Sequence, residues 1–349
     1  MWRRIRGHVV GLDVGASAVR LLELKRRRTG VGIRAYGCAP LPEEAMGDAD
    51  VLDDAAVLAC LQPLVQTLPL STRRVAIGLA GRDLFVTRLV LPRLSPRELR
   101  TAIRWEARAQ LPFDLDEVAL DYQALPDSGS EPSRMAVVLA AAHQRTIEWW
   151  QSLVTRAGLQ LGIVDVVPFA VQRACEWLGV TGPGEVVLLL HIGTRATAAC
   201  LVREGHPLFV GDLAIGGDAW TAAIAREARC TRQEAEALKR NVSCGSSPAP
   251  ADWPPALAIA TETFATELAR MLAFAREHDD APAPQRVVLS GGGAHLAGLG
   301  AVLSARLGCH LEVFGLANAR INGLLTAPPP DLGPAWALAM GLALRGVSR

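Results

Sequence analysis

A phrase that the chain uses twice constrains it most: an apolar strand, a turn of small residues, and a second apolar strand. It runs from Val9 to Leu24, turning at Asp13-Val14-Gly15-Ala16-Ser17, and recurs from Val187 to Val202, turning at His191-Ile192-Gly193-Thr194. Glycine has no Cβ to hold a ligand away from the backbone, so neighbouring N–H groups in such a turn can converge on an anion. One glycine hairpin alone reads as an ordinary β-turn. Two copies predict two matched sheets whose turns face each other across a nucleoside triphosphate.

A chain of 349 residues is long enough for two α/β lobes, each with a core of its own. With 36 Lys+Arg against 35 Asp+Glu there is no global field to recruit nucleic acid or an anionic bilayer. Seven scattered cysteines with no C-x-x-C pair point to a reducing cytoplasm. Half of the residues are apolar, yet the longest apolar runs fall well short of the ~20 residues a membrane-spanning helix needs. The basic Trp2 segment and Lys25-Arg26-Arg27-Arg28 are the local places where headgroups could be touched, although such runs are usually just solvated.

Patterning predicts a meander to about Ala39, a helix over Leu52–Thr67, and strands at Val75–Leu79 and Leu84–Leu91. Ser95-Pro96-Arg97-Glu98 announces a helix with a capping box and an early proline, and Leu111-Pro112 ends it near Gln110. With strands at Met135–Ala141 and Leu161–Val167 and a helix between them, residues 84–166 read as a separate α+β module. In the second half, Ile215-Gly216-Gly217-Asp218 opens a helix and Thr231–Glu234 caps another over Glu234–Arg240. Leu257–His278 is a long helix, and Arg286–Ser290 is a strand followed by Gly291-Gly292-Gly293, which is expected to open a helix whose N-terminus suits a phosphate or sugar edge.

The candidate site follows from these placements. Asp13, at the end of a buried strand, can hold Mg²⁺ or can merely cap its turn. Gly15, Ala16, Ser17, Gly193 and Thr194 are the candidate phosphate turns, with Gly216, Gly217, Gly291, Gly292 and Gly293 around the nucleoside. Glu236 and Lys239 lie three apart on one helical face and can address one ligand, or simply pair with each other. His191 stands where Asp13 stands in the first copy, and a lone histidine there is more often structural. Trp149-Trp150 reads as packing, and no zinc spacing is present.

Gly11-Leu12-Asp13-Val14-Gly15 and Leu190-His191-Ile192-Gly193-Thr194 resemble the two phosphate motifs of the superfamily that joins actin, the heat-shock chaperones and the sugar kinases. Leu289-Ser290-Gly291-Gly292-Gly293-Ala294 resembles its adenosine motif. Nearly end to end, the chain resembles the PilM family, actin-like cytoplasmic proteins of type IV pilus assembly. Gln110-Leu111-Pro112-Phe113-Asp114-Leu115-Asp116-Glu117-Val118 is the most specific match, and Ala335–Arg345 also fits.

The resemblance implies an actin-like (ribonuclease H-like) two-lobed α/β fold with an inserted subdomain of the kind found in the division protein FtsA. Lobe I would comprise 1–83, 167–183 and 316–349, with the insert at 84–166. Lobe II would comprise 184–225 and 285–315, with its own subdomain at 226–284. It implies ATP and Mg²⁺ as ligands, with Glu236 and Lys239 on ribose and adenine. It implies as partner the N-terminal cytoplasmic tail of PilN, a single-pass membrane protein, held near Leu111, Pro112 and Phe113, with self-association open. The family usually has aspartate where this chain has His191, so hydrolysis is expected to be slow or absent. The site would lie on the cytoplasmic face of the inner membrane, with membrane contact mainly through the partner. The rival readings are the related cytoplasmic domain of a type II secretion protein, which usually continues into a transmembrane helix, a sugar-kinase-like phosphotransferase, and a filament-forming ATPase.

Overall fold

The computed structural model describes residues 8–28, 30–42, 45, 53–81, 84–126, 133–244, 253–315 and 332–347. The Trp2 segment, most of the 127–133 loop, the 245–252 stretch and the Pro328-Pro329-Pro330 linker lie outside them.

The first half begins with β1 (Val10–Val14), β2 (Ala18–Arg27) and β3 (Gly30–Pro40), followed by α1 (Asp54–Thr67) and β4 (Arg74–Leu79). Next come β5 (Leu84–Pro92), α2 (Pro96–Gln110), β6 (Val118–Ala124), β7 (Arg134–His143), α3 (Gln144–Arg156), β8 (Gln160–Val166) and α4 (Val167–Trp177). The second half has β9 (Val186–Ile192), β10 (Thr197–Arg203), β11 (His206–Leu213), α5 (Gly217–Ala228), α6 (Arg232–Cys244) and α7 (Pro255–Asp279). It closes with β12 (Arg286–Ser290), α8 (Leu299–Leu307), β13 (His310–Val313) and α9 (Ala337–Leu344).

The repeated phrase becomes a repeated sheet. The strand orders are β3-β2-β1-β4-β8 and β11-β10-β9-β12-β13. In each, the first strand of the glycine hairpin runs antiparallel to its successor and parallel to the neighbour on its other side.

Alternation along each strand divides the core into layers. On β1, Val10 and Leu12 face outward onto α1 and α3, meeting Val57, Leu61, Leu153 and Val154. On β9, Leu188 and Leu190 face outward onto Trp220, Phe264 and Leu268. The opposite faces, with Val187 and Leu189 among them, share one inner layer built from α4 and α9. Every residue of α9 is buried, as expected of a helix that is apolar all round and enclosed between layers.

Glycine makes that layer thin. A Cβ on Gly11 would fall 2.1 Å from the carbonyl oxygen of Ala339, and one on Gly341 would fall 1.7 Å from that of Ala170. Helix α9 therefore lies backbone against backbone on both β1 and α4.

Three expectations need correction. Strand β8 does not join the module that begins at Leu84; it pairs with β4 at the edge of the first sheet. Helix α3 likewise packs on that sheet, so the module's own three-stranded sheet is β5-β7-β6, covered by α2 through Leu99, Ile103 and Ala107. The cause is the length of the apolar run Val137–Ala142, which carries β7 from the small sheet into contact with the first lobe's core. Second, Gly292–His295 is a single 3-10 turn, and the helix starts only at Leu299, after Gly298 in the left-handed region at φ 85°. Third, α6 extends beyond the expected Glu234–Arg240 at both ends.

Adding one methyl at Gly341 should destabilise the fold by about 1–3 kcal/mol or more, because a carbonyl in the facing backbone cannot rotate away as a side chain can. Nothing lies within 4 Å of a Cβ on Gly292, so Gly292→Ala should leave the urea unfolding midpoint nearly unchanged while Gly341→Ala lowers it.

Candidate nucleotide-binding site

In open α/β sheets, ligands collect at the carboxyl ends of parallel strands. Here the ends of β1, β9 and β12 carry Asp13, His191 and the Gly291-Gly292-Gly293 run. Asp13 lies on the same face of β1 as Gly11, and His191 on the same face of β9 as Leu189, so both look into the space between the sheets. Ser290 pairs with His191 in the β9–β12 register.

Asp13 is buried, and its neighbour is Arg20, the residue directly opposite it in the β1–β2 hairpin. The guanidinium stands 3.3 Å from the carboxylate. Burial pushes the Asp13 carboxyl above the usual range, and Arg20 pulls it only part of the way back. Across the cleft the same guanidinium disfavours protonation of His191 and His295, adding to the larger effect of burial on both. Arg20 thus supplies the positive charge between the sheets.

The His191 ring is held by Ser290, with Nδ1 3.1 Å from Oγ. Ser290 donates its single hydroxyl proton to the Leu190 carbonyl at 3.1 Å, so the proton between Ser290 and His191 belongs to the imidazole. Nε2 is left as the acceptor of a neutral ring, and its pKa falls to about 4.

The glycines divide into two groups. Gly15 N–H donates to Ala18 at 3.0 Å and Gly193 N–H to Ala196 at 2.9 Å, each closing its own hairpin. Gly216 lets the start of α5 settle on the second turn: its Cβ would lie 2.6 Å from the carbonyl oxygens of Gly193 and Thr194. Those carbonyls accept from Gly217 N–H at 2.9 Å and Asp218 N–H at 2.7 Å. Gly291, at φ 84°, and Gly293 both pack on Ile192. These positions are small because protein already fills the space. Gly15 and Gly292 differ, since a Cβ on Gly15 meets nothing closer than 3.5 Å and one on Gly292 nothing within 4 Å. Gly217 borders Lys239 and Gly293. Ala16 is half-buried and Ser17 exposed on the first turn.

Glu236 and Lys239 do pair, 2.5 Å apart, but not as an exposed surface bridge. Lys239 donates to the Gly217 carbonyl at 3.0 Å and to Thr221 at 2.7 Å, while Thr221 donates to Glu236 at 2.7 Å. Burial works against the Glu236 charge, yet the hydrogen bonds from Lys239 and Thr221 and the lysine charge outweigh it, and the pKa falls. Burial also lowers that of Lys239. The pair is therefore fixed to the start of α5, beside Gly217 and Gly293.

Leu111, Pro112 and Phe113 stand apart from this cluster. Leu111 ends α2 and packs on the module's core, and the Phe113 ring lies 4.2 Å from that of His143 at the end of β7.

Among the described residues there is no group of three or more His, Cys, Asp or Glu side chains able to hold a metal, and no helix is long and apolar enough to cross a membrane. A cation here would rest on Asp13 with oxygens from a phosphate and water, which suits Mg²⁺, an ion that keeps several waters and takes few protein ligands.

The model of the type IV pilus assembly protein PilM matches residues 11–347. This chain belongs to the PilM family. The structure of a PilM-PilN type IV pilus biogenesis complex is similar at 29% identity, covering 99% of this chain and 100% of that one, with a TM-score of 0.84. Cell division protein FtsA of Streptococcus pneumoniae serotype 2 is 24% identical over 258 residues, 67% of this chain and 56% of that protein, so the chain spans about half the length of this relative. EutJ of Carboxydothermus hydrogenoformans covers 99% of this chain and 92% of its own at 15% identity and TM-score 0.54. MreB5 of Spiroplasma citri bound to ADP covers 98% and 96% at 10% identity and TM-score 0.54. At those identities the last two show the fold alone, and the fold is actin-like.

Arg20, Ser290 and His295 are the parts of this PilM-family site that motif reading misses. Arg20 had a signal: counting back from the turn, it is the one basic residue of an apolar strand that falls opposite Asp13. Ser290 and His295 gain meaning only when β12 is laid beside β9.

Folding favours the neutral form of His191, whose pKa falls from 6.5 to about 4. Its contribution to stability should be complete above pH 6.5, decline as pH falls toward 4, and be flat below. Proton NMR should find the ring neutral at pH 5.5, and His191→Asn should remove this part of the acid sensitivity of the urea midpoint.

Proposed function

We propose that this chain is an ATP-binding adaptor that holds the N-terminal cytoplasmic tail of a PilN-like bitopic membrane protein, with bound nucleotide setting how well the tail fits. The observation that carries the reading is full-length similarity, at 29% identity, to a PilM-PilN complex. An extended tail held through backbone bonds and side-chain pockets is a familiar mode of capture, and Leu111, Pro112 and Phe113 are the proposed part of its groove. The adaptor would work in the cytoplasm at the inner-membrane face.

The residues between the sheets suit a nucleotide. Gly292 keeps open the space a side chain would take, Gly15 stands beside Asp13 and Arg20, and Arg20 supplies cationic charge. Phosphates would lie along Gly15, Ala16 and Ser17 on one side and Gly193 and Thr194 on the other. Gly216, Gly217, Gly291, Gly292 and Gly293, with Glu236 and Lys239, would border the nucleoside. Asp13 would hold Mg²⁺, which neutralises phosphate charge when bound. Closing its hairpin occupies the N–H of Gly15, so anion contact there falls to the residues after it.

Neutral His191 favours binding over turnover. A ring whose Nδ1 is fixed to Ser290 brings no negative charge to hold a cation, and losing one positioning element of phosphoryl transfer costs orders of magnitude in rate. ATP then acts as a ligand that shifts a conformational population.

Calorimetric titration of a PilN-like tail peptide should give an affinity that changes severalfold with Mg-ATP in the wild type and loses that dependence in Asp13→Ala. An absence of peptide binding with and without nucleotide overturns the adaptor reading. ATP turnover should stay below one per minute in the wild type and rise at least tenfold in His191→Asp; equal rates would show that His191 does not limit hydrolysis.

A further inference from the structure

Helix α2 carries a charge pattern that neither its fold nor the nucleotide site uses. Its buried side, Leu99, Ile103 and Ala107, covers the three-stranded sheet. Arg97, Arg100, Arg104 and Arg108 are all exposed. At 3.6 residues per turn, Arg97, Arg104 and Arg108 fall within roughly 40° of one another, with Arg100 about 40° further round. The stripe is about 16 Å long at 1.5 Å per residue.

Among the described residues, none of these four arginines makes an ion pair or a side-chain hydrogen bond. The helix's own acids do not offset them. Glu98 is engaged in the capping box with Ser95, and Glu106 lies about 180° round the helix from Arg97. Beside the stripe, Trp105 points outward with 68% of its surface exposed, the largest aromatic exposure among the described residues. An indole left in water on a rigid helix has no structural use there, since α2 is already anchored by its opposite face.

We propose that the outer face of α2 is a direct contact for the surface of an anionic bilayer. Guanidinium groups in a row pair with lipid phosphates, bidentately where geometry allows. Tryptophan settles at headgroup depth, with its apolar body inward and its N–H wet. A convex helix face suits a flat, laterally mobile array of charge. As the outer face of a helix it is neither a groove nor a sheet edge of the kind that grips an extended acidic peptide; the edges of the sheet beneath it are β5 and β6. The inference does not depend on the adaptor reading, since no partner protein takes part.

The test is co-sedimentation of the full chain with vesicles of phosphatidylcholine alone and of phosphatidylcholine with 30% phosphatidylglycerol. Binding is expected only to the anionic vesicles, lost as NaCl is raised toward 0.5 M, and reduced at least tenfold in Arg100→Glu/Arg104→Glu/Arg108→Glu. Trp105→Phe, a milder change, should weaken binding and remove the blue shift of tryptophan emission that anionic vesicles cause. Circular dichroism confirms that both variants are folded.

No binding by the wild type, or equal binding by the triple variant, overturns the proposal. Vesicle binding unaltered by the triple variant, with a changed mass in light scattering, would assign the face to a second copy of the chain instead. Unaltered vesicle binding with loss of affinity for a polyglutamate peptide would assign it to an acidic protein segment. Complete competition by inorganic polyphosphate at matched charge, with no emission shift on vesicles, would reduce it to a polyanion site and also overturn it.

Discussion

The structure depends on one contact between backbones. Two sheets of identical strand order can face a common ligand only if what separates them is thin and rigid, and the separator here is α9, lying on Gly11 from one side and against α4 through Gly341 on the other. Any side chain at either glycine would wedge the layer open. Close packing of this kind makes an interior transmit displacement rather than absorb it. A change in the relative position of the sheets must therefore move α4 and α9 as bodies, and β1, which carries Asp13 one residue before its end, rests directly on one of them.

Charge between the sheets is arranged around Arg20. The guanidinium answers the one carboxylate of the first turn and discourages charge on both histidines across the cleft. In a site of low polarity these effects are stronger than in water. The second turn, which in the first copy would present a carboxylate, presents a neutral ring fixed by Ser290. The asymmetry between two otherwise matched hairpins is thus electrostatic, while their backbones and sheet orders remain alike.

Much of this was legible in the sequence, for identifiable reasons. The repeated hairpin announced the two sheets because strand alternation and turn glycines are local signals. The capped start of α2 was equally local, and Ser95 and Glu98 form both reciprocal hydrogen bonds. The fate of β8 was not legible, because an apolar strand carries no mark of which sheet it will join. Motif reading assigned one role to all the glycines, yet Gly216, Gly291 and Gly293 are small to admit neighbouring protein, Gly15 and Gly217 would put a Cβ in ordinary contact, and among these Gly292 alone borders open space. That difference rests on contacts between separate segments, Gly216 on the Gly193-Thr194 turn and Gly291 and Gly293 on Ile192, which no local pattern encodes. Glu236 and Lys239 were read as either ligand contacts or a surface pair; they are a pair tied to the start of α5.

The position of α9 in the chain also sets an order of events. Gly11 meets Ala339, so β1 acquires its inner covering only after the whole stretch of chain between the two has been made. Contacts of such sequence separation form late, since loop closure must be paid before they reward it. Until then the inward face of the first sheet lacks that cover, and exposed apolar surface is the state in which nascent chains associate with one another or with chaperones. The lobes can each collapse on their outer helices beforehand, but the space between them acquires its shape last.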